Sequence, residues 1–187
     1  MAEIGKTIAH PLTGERVTFL DVRDDMLKLR IEMAPGGFLP RPHTHPRSEE
    51  RFEVTAGRVQ INESGRLRSL DVGEIVVVPR GAGHVWGNPF DEPATVVVDL
   101  CPAYQMATFF ETWFGLARDG KVNTRTQMPS LLQTVIIAHD FRDGIGFPGV
   151  AGVAARGLFA ALAPLARARG YRSRYPQYSD PTETLPT

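Results

Sequence analysis

Three histidines and one glutamate carry the chemistry open to this chain. His43 and His45 flank a single residue, Glu50 follows shortly after, and His84 stands further on, between Pro79-Arg80-Gly81 and Trp86. Neutral imidazole nitrogen and carboxylate oxygen both donate to borderline divalent ions, so the set suits Zn, Fe, Mn, Ni or Cu. Side chains alternate between faces along an extended segment, which lets His43 and His45 point the same way and grip one ion. Glu50 shares its parity with the apolar Phe52 and Val54, which turns Glu50 inward and its neighbour Glu49 outward. Three imidazoles and a carboxylate facing one small cavity would be costly without an ion or protons to share.

The ligands sit inside two spaced constellations. The first runs Gly37, His43, His45, Glu50, Gly57, and the second Gly73, Pro79, Gly81, His84, Asn88. Together they resemble the two signature motifs of the cupin superfamily, with every keyed position occupied, and the step from the carboxylate to Gly57 fits Glu50 rather than Glu49. The resemblance covers residues 37–88 directly and, by extension of the barrel, about residues 5–103. It implies a mainly β fold, a double-stranded β-helix or jelly-roll barrel. The barrel's mouth would hold one divalent transition metal (Fe, Mn, Zn or Ni) through His43, His45, Glu50 and His84. Some cupin isomerases keep the pattern and work with a histidine and an acid alone.

The elements that must position these residues read as strands first. Leu27, Leu29, Ile31 and Met33 alternate with polar neighbours, and short β-prone runs at 59–62, 67–70, 75–78 and 95–100 are separated by Gly- and Ser-containing turns. Many short strands with such punctuation form a closed or sandwiched β domain. Phe38, Phe52, Val54, Trp86 and the inward residues of 27–33 are expected to line an apolar pocket above the ion. After Pro102 the period lengthens. Met106, Phe109, Phe110, Trp113, Phe114 and Ala117 mark one helix face, stopped near Gly120. A second helix is expected from Pro129-Ser130, with Leu131, Leu132, Val135, Ile136 and His139 on one side. A third is expected over 149–169, with Val150, Val153, Leu158, Ala161, Leu162 and Leu165 inward and Pro164 kinking or ending it. The chain thus divides into a barrel, 1–103, and a C-terminal helical extension, 104–187, whose tail from Tyr171 is expected to be extended and flexible. The aromatic stripe of the first helix packs on the barrel or on a second subunit; capping the barrel mouth is the other reading.

Composition narrows the partners. The chain of 187 residues balances 21 basic against 21 acidic side chains, so no field draws nucleic acid. Cys101 is the only cysteine and reads as a buried strand end rather than a nucleophile. Residues 1–17 lack an apolar core of the secretory kind, which predicts a cytoplasmic location. The stretch 144–166 is apolar but rich in Gly and Ala and broken by Pro148 and Pro164, so membrane contact is not expected. His10 and His139 have no partner at ligand spacing and read as structural. A homodimer is expected, since barrel edges and the aromatic stripe need covering. The expected partner is a small organic molecule. Ligation by three histidines and a glutamate leaves about two positions of an octahedron, where O2 and a chelating substrate could bind side by side, so an oxygenase-type metalloenzyme is the first expectation. A non-redox isomerase or decarboxylase, and a ligand-binding or sensing protein without turnover, stay open beside it.

Overall fold

The structure, a computed structural model, describes residues 2–37 and 41–179. In chain order the strands are β1 (Thr7–Ala9), β2 (Arg16–Val22), β3 (Leu27–Met33), β4 (Glu49–Ala56), β5 (Val59–Glu63), β6 (Arg66–Leu70), β7 (Ile75–Val78), β8 (His84–Gly87) and β9 (Ala94–Cys101). The helices α1 (Met106–Arg118), α2 (Leu131–Asp140) and α3 (Gly149–Ala168) follow, then a single 3-10 turn at Pro176–Tyr178.

Period-two burial builds the wall that carries the site. Leu27, Leu29, Ile31 and Met33 of β3 are buried, as are Ala94, Val96, Val98 and Leu100 of β9, while their alternates turn outward. β4 repeats the pattern, with Glu50, Phe52 and Val54 inside and Glu49 exposed. These strands belong to a six-stranded antiparallel sheet in the order β1-β2-β3-β9-β4-β7, which packs over a three-stranded sheet in the order β6-β5-β8. The result is a jelly-roll barrel followed by helices. Register fixes the rows: Glu50 lies opposite Leu100, and Leu100 opposite Leu27.

The boundary after residue 103 changes secondary structure without breaking the packing. Met106, Phe109, Phe114 and Leu116 of α1 share one apolar cluster with the barrel residues Phe19, Leu29 and Trp86. The aromatic stripe is therefore consumed inside the chain, and the argument that it covers a dimer interface falls away.

The helical extension departs from its sequence pattern in three places. On α3 the residues expected inward face out: Val150 is 87% exposed and Val153 72%, with Leu158, Ala161 and Leu165 also exposed. Gly152, Ala163 and Ala166 are buried instead, beside Phe159 and Leu162 against Val135 and Ile136 of α2. Small residues let two helix backbones approach closely, and a helix so rich in Ala and Gly is apolar on every side, so its periodicity could not choose the face. By length and composition this helix could cross a membrane, although Pro164 lies inside it without ending it. On α2, Leu131 is 70% exposed, and Gln133 and Ile137 take its place in the buried set. The tail from Tyr171 to Ser179 is docked rather than loose. Tyr178 is buried against α1 at Gly115, Gln133 Nε2 donates to Arg172 O, and Ser179 Oγ donates to the buried Glu111. The rest of that expected tail, 180–187, lies outside the described residues.

Two motif glycines make different demands. Gly57 and Gly73 both have positive φ, 66° and 87°, but a Cβ on Gly57 would overlap Pro93 O, whereas Gly73 has open space. Gly73→Ala should cost about 1–2 kcal/mol, the left-handed penalty alone. Gly57→Ala should cost about 3 kcal/mol or more, because the backbone of β9 must also shift. Denaturant unfolding of both variants beside wild type checks the order; equal losses would contradict it.

Candidate metal centre

Two local features deliver the ligands. His43 and His45 lie not in a sheet strand, as expected, but in a short bridging segment. His43 exchanges backbone hydrogen bonds of 2.9 Å in both directions with His84 at the start of β8, so two ligands are held as one unit. Thr44 likewise pairs with Gly146, from the loop after α2. The Pro79-Arg80-Gly81 turn closes on the same segment through Gly81 N–H donating to His45 O at 2.8 Å. β4 supplies Glu50 from the facing wall.

The ligating atoms of His43, His45, Glu50 and His84 all lie within 4.8 Å of one another. Each ring is oriented by a backbone carbonyl: Nδ1 of His45 reaches Gly144 O at 2.6 Å, His43 Arg41 O at 3.2 Å, and His84 Ala82 O at 3.3 Å. A carbonyl only accepts, so Nδ1 carries the proton in each neutral ring and Nε2 turns its lone pair into the site. Glu50 Oε2 stands 2.6 Å from His84 Nε2 and 3.3 Å from His45 Nε2. Neither contact has hydrogen-bond geometry, and all three atoms are buried without a hydrogen-bond partner among the described residues. Lone pairs crowded this closely fit a cation at their common focus.

The electrostatics of His43 and Glu50 agree with donors kept ready for a cation, whereas at His45 a proton competes for the same place. Burial, then the neighbouring His84 and His45, push His43 down to about 3, so it stays neutral and available as a donor. Burial alone would raise Glu50, but the charge and contacts of His45, then those of His84, outweigh it and hold the carboxyl well below the usual range. Burial acts downward on His45 too, yet Glu50 wins and its pKa is raised.

Above the ligands opens a cavity of about 150 Å³, the size that takes a benzene ring. Trp86 and Ile31 of the barrel line it, with Phe109, Phe110, Trp113 and Phe114 of α1 opposite. The helical extension thus caps the barrel mouth. Of the pocket residues expected from sequence, Trp86 lines the cavity. Phe52 and Val54 do not: both are buried a layer below, where Phe52 meets the His84 and Trp86 rings edge-on at 6.0 and 5.3 Å. Phe38 lies outside the described residues.

Residues 29–100 match the family model described as Cupin domain. Those residues form a cupin domain. Germin-like protein subfamily 2 member 2 of Arabidopsis thaliana is 36% identical over 104 residues, spanning 51% of this chain and 47% of that protein. An oxidoreductase of Arthrobotrys oligospora is 30% identical over 105 residues, 52% of this chain and 41% of that protein. Among solved structures, an RmlC-like cupin from Shewanella frigidimarina aligns with a TM-score of 0.49 at 19% identity, covering 57% of this chain and 94% of the other. The chain spans about half or less of the length of the curated relatives it matches.

Sequence reasoning missed part of this site. Gly144 orients His45 from a hundred residues away, and nothing in the sequence marked it. The aromatic lid was legible as a stripe, and its double width, Phe109-Phe110 and Trp113-Phe114, was the available sign that it serves two surfaces. His10, read as structural, is 3% exposed and lines the cavity, as does Glu15 at 5%. Cys101 stands at the end of β9 as expected but is half-buried rather than buried, and its thiol is pushed up first by burial.

Glu50 and Glu49 differ by one position and one face. Glu50→Gln should keep the fold and weaken the metal at least tenfold in a chelator competition, because a neutral amide replaces an anionic donor. Glu49→Gln should leave metal content alone and change stability by no more than about 0.5 kcal/mol. The reverse pattern would place the wrong carboxylate at the ion.

Burial raises Glu15 to about 7 from its usual 4.5. The folded protein therefore keeps this proton where the unfolded chain has released it, and stability falls as pH rises from about 4.5 to about 7. The loss should approach about 3 kcal/mol. Subtracting the stability–pH curve of Glu15→Gln from that of the wild type, both metal-free, isolates it; a flat difference across that window would contradict the burial argument.

Proposed function

We propose that this cupin is a metal-dependent, oxygenase-type enzyme acting on a small organic molecule with an apolar body. The observation that carries the reading is the buried convergence of His43, His45, Glu50 and His84 at the floor of an apolar cavity lidded by α1. These four residues would hold the ion, and a bound ferrous ion would supply activation of O2 beside a chelating substrate. The protein's own part is positioning. The carbonyls of Arg41, Ala82 and Gly144 keep the Nε2 lone pairs inward. Glu50 stays ionised, so it contributes a negative charge that favours binding a cation. Phe109, Trp113 and Trp86 form apolar walls that displace water and seat the substrate's body. A relative that bears the name oxidoreductase supports the reaction class.

Ferrous loading without air, followed by oxygen-uptake measurements on small catechols, diketones and hydroxy acids, tests the reading. About one iron per chain is expected, with uptake on at least one compound class and neither property in His84→Ala. Full iron occupancy without uptake, joined to isomerisation or decarboxylation of the same compounds in the absence of oxygen, would transfer the site to non-redox Lewis-acid chemistry.

A further inference from the structure

The cavity that opens above the four ligands has a second polar end. Glu15 precedes β2, whose first residue Arg16 pairs with Glu32, and Glu32 with Thr95. Glu50 sits instead in the row of Leu100 and Leu27. The two carboxylates thus belong to opposite ends of one sheet, yet they line the same cavity.

Glu15 is built into that end with one carboxyl oxygen unpaired among the described residues. Its backbone N–H donates to Thr13 Oγ1 and its carbonyl accepts from His10 N–H, so the loop that holds it is ordered. Its Oε1, however, is buried with no hydrogen-bond partner among the described residues. Gln127, held at φ 57° in the loop between α1 and α2, lines the cavity as well, and its Oε1 is orphaned in the same way. His10 stands beside them, its ring edge-on to Phe114 at 5.4 Å. Its Nδ1 accepts from Thr13 N–H, which leaves Nε2 to carry the proton. Buried acceptors are normally paired, and two left open in one cavity call for a donor from outside the chain. The cost of burying them unpaired is recovered when a ligand supplies that donor.

We propose that Glu15, with Gln127, forms a recognition subsite for a hydrogen-bond donor, a hydroxyl or a protonated amine, carried on the substrate's end remote from the metal. The claim rests on the enzyme reading above and narrows its substrate class. The molecule has a chelating head, a compact apolar body about the size of one ring, and a donor tail. Glu15 acts on specificity and placement.

Three matched probes test this on the zinc-loaded protein: benzohydroxamates bearing ethyl, hydroxymethyl or aminomethyl in the para position. The hydroxamate grips the metal in all three, and only the tail changes. At least one donor-tailed probe should bind the wild type about tenfold tighter than the ethyl probe, the scale of one recovered buried hydrogen bond. Which of the two it is identifies the donor as hydroxyl or ammonium. In Glu15→Met, of similar length and without the acceptor, the preference should vanish. An ethyl probe that binds the wild type as tightly as both others, or a preference that survives in Glu15→Met, overturns the subsite. Failure of the metal reading looks different: all three probes would then bind His84→Ala as well as wild type, or bind neither. In that event ethylbenzene, benzyl alcohol and benzylamine, titrated into metal-free protein and followed by NMR, read the Glu15 end alone. Equal affinity for those three in the wild type would overturn it equally.

Discussion

The structure turns on one electrostatic constraint: lone pairs of imidazole and carboxylate converge on a point where His45, Glu50 and His84 are buried and His43 is half-buried. Such a cluster is unfavourable when bare, so the fold must hold it by other means. Backbone carbonyls fix each ring, His43 and His84 lock each other through paired main-chain bonds, and the alternation of β4 turns Glu50 inward to meet them. The contacts of 2.6 and 3.3 Å between Glu50 and two imidazoles make sense as the approach of ligands to a shared cation. Binding energy for a cation there would also be folding energy for the barrel.

The helical extension is part of this arrangement. At one end of its loop the Gly144 carbonyl accepts from His45 Nδ1–H, and the next residues add the Gly146 bridge to Thr44, so displacing the helices would release a ligand's orientation. Its first helix supplies the aromatic roof. The same rings that bury against the barrel also shape the cavity, which couples stability of the lid to the dimensions of the site. The docked tail reinforces the roof from behind. Lys6 and Ser179 both meet the buried Glu111 of α1, and Tyr178 packs against the same helix.

The cavity has two characters. At one end the acceptors are satisfied if a cation is present; at the other, Glu15 and Gln127 keep acceptors that nothing among the described residues pairs. Between them lie aromatic and aliphatic side chains. That distribution restricts shape and polarity together, and it is a property of the whole chain, since the barrel, the N-terminal loop and the helices each contribute a part of the lining.

Much of this was written in local pattern. Period-two alternation gave the burial of β3, β4 and β9, and the parity of Glu50 with Phe52 and Val54 chose the inward carboxylate. Ligand identity was equally local, because donor chemistry and spacing belong to the residues themselves. What spacing could not carry was distance through space between residues remote in the chain. Gly144 meets His45, Phe109 and Trp113 meet the cavity, and Glu15 comes to share it with Glu50, only because the loops and helices fold back over the barrel. Nor could composition orient α3, where Ala and Gly make every face apolar: close packing on α2 selected the small residues Gly152, Ala163 and Ala166 and left Val150 and Val153 outside. The sequence by itself determined which donor groups converge and which strands carry Glu50 and His84. Tertiary structure decided what encloses them, since enclosure is set by long-range packing and leaves no period in the chain.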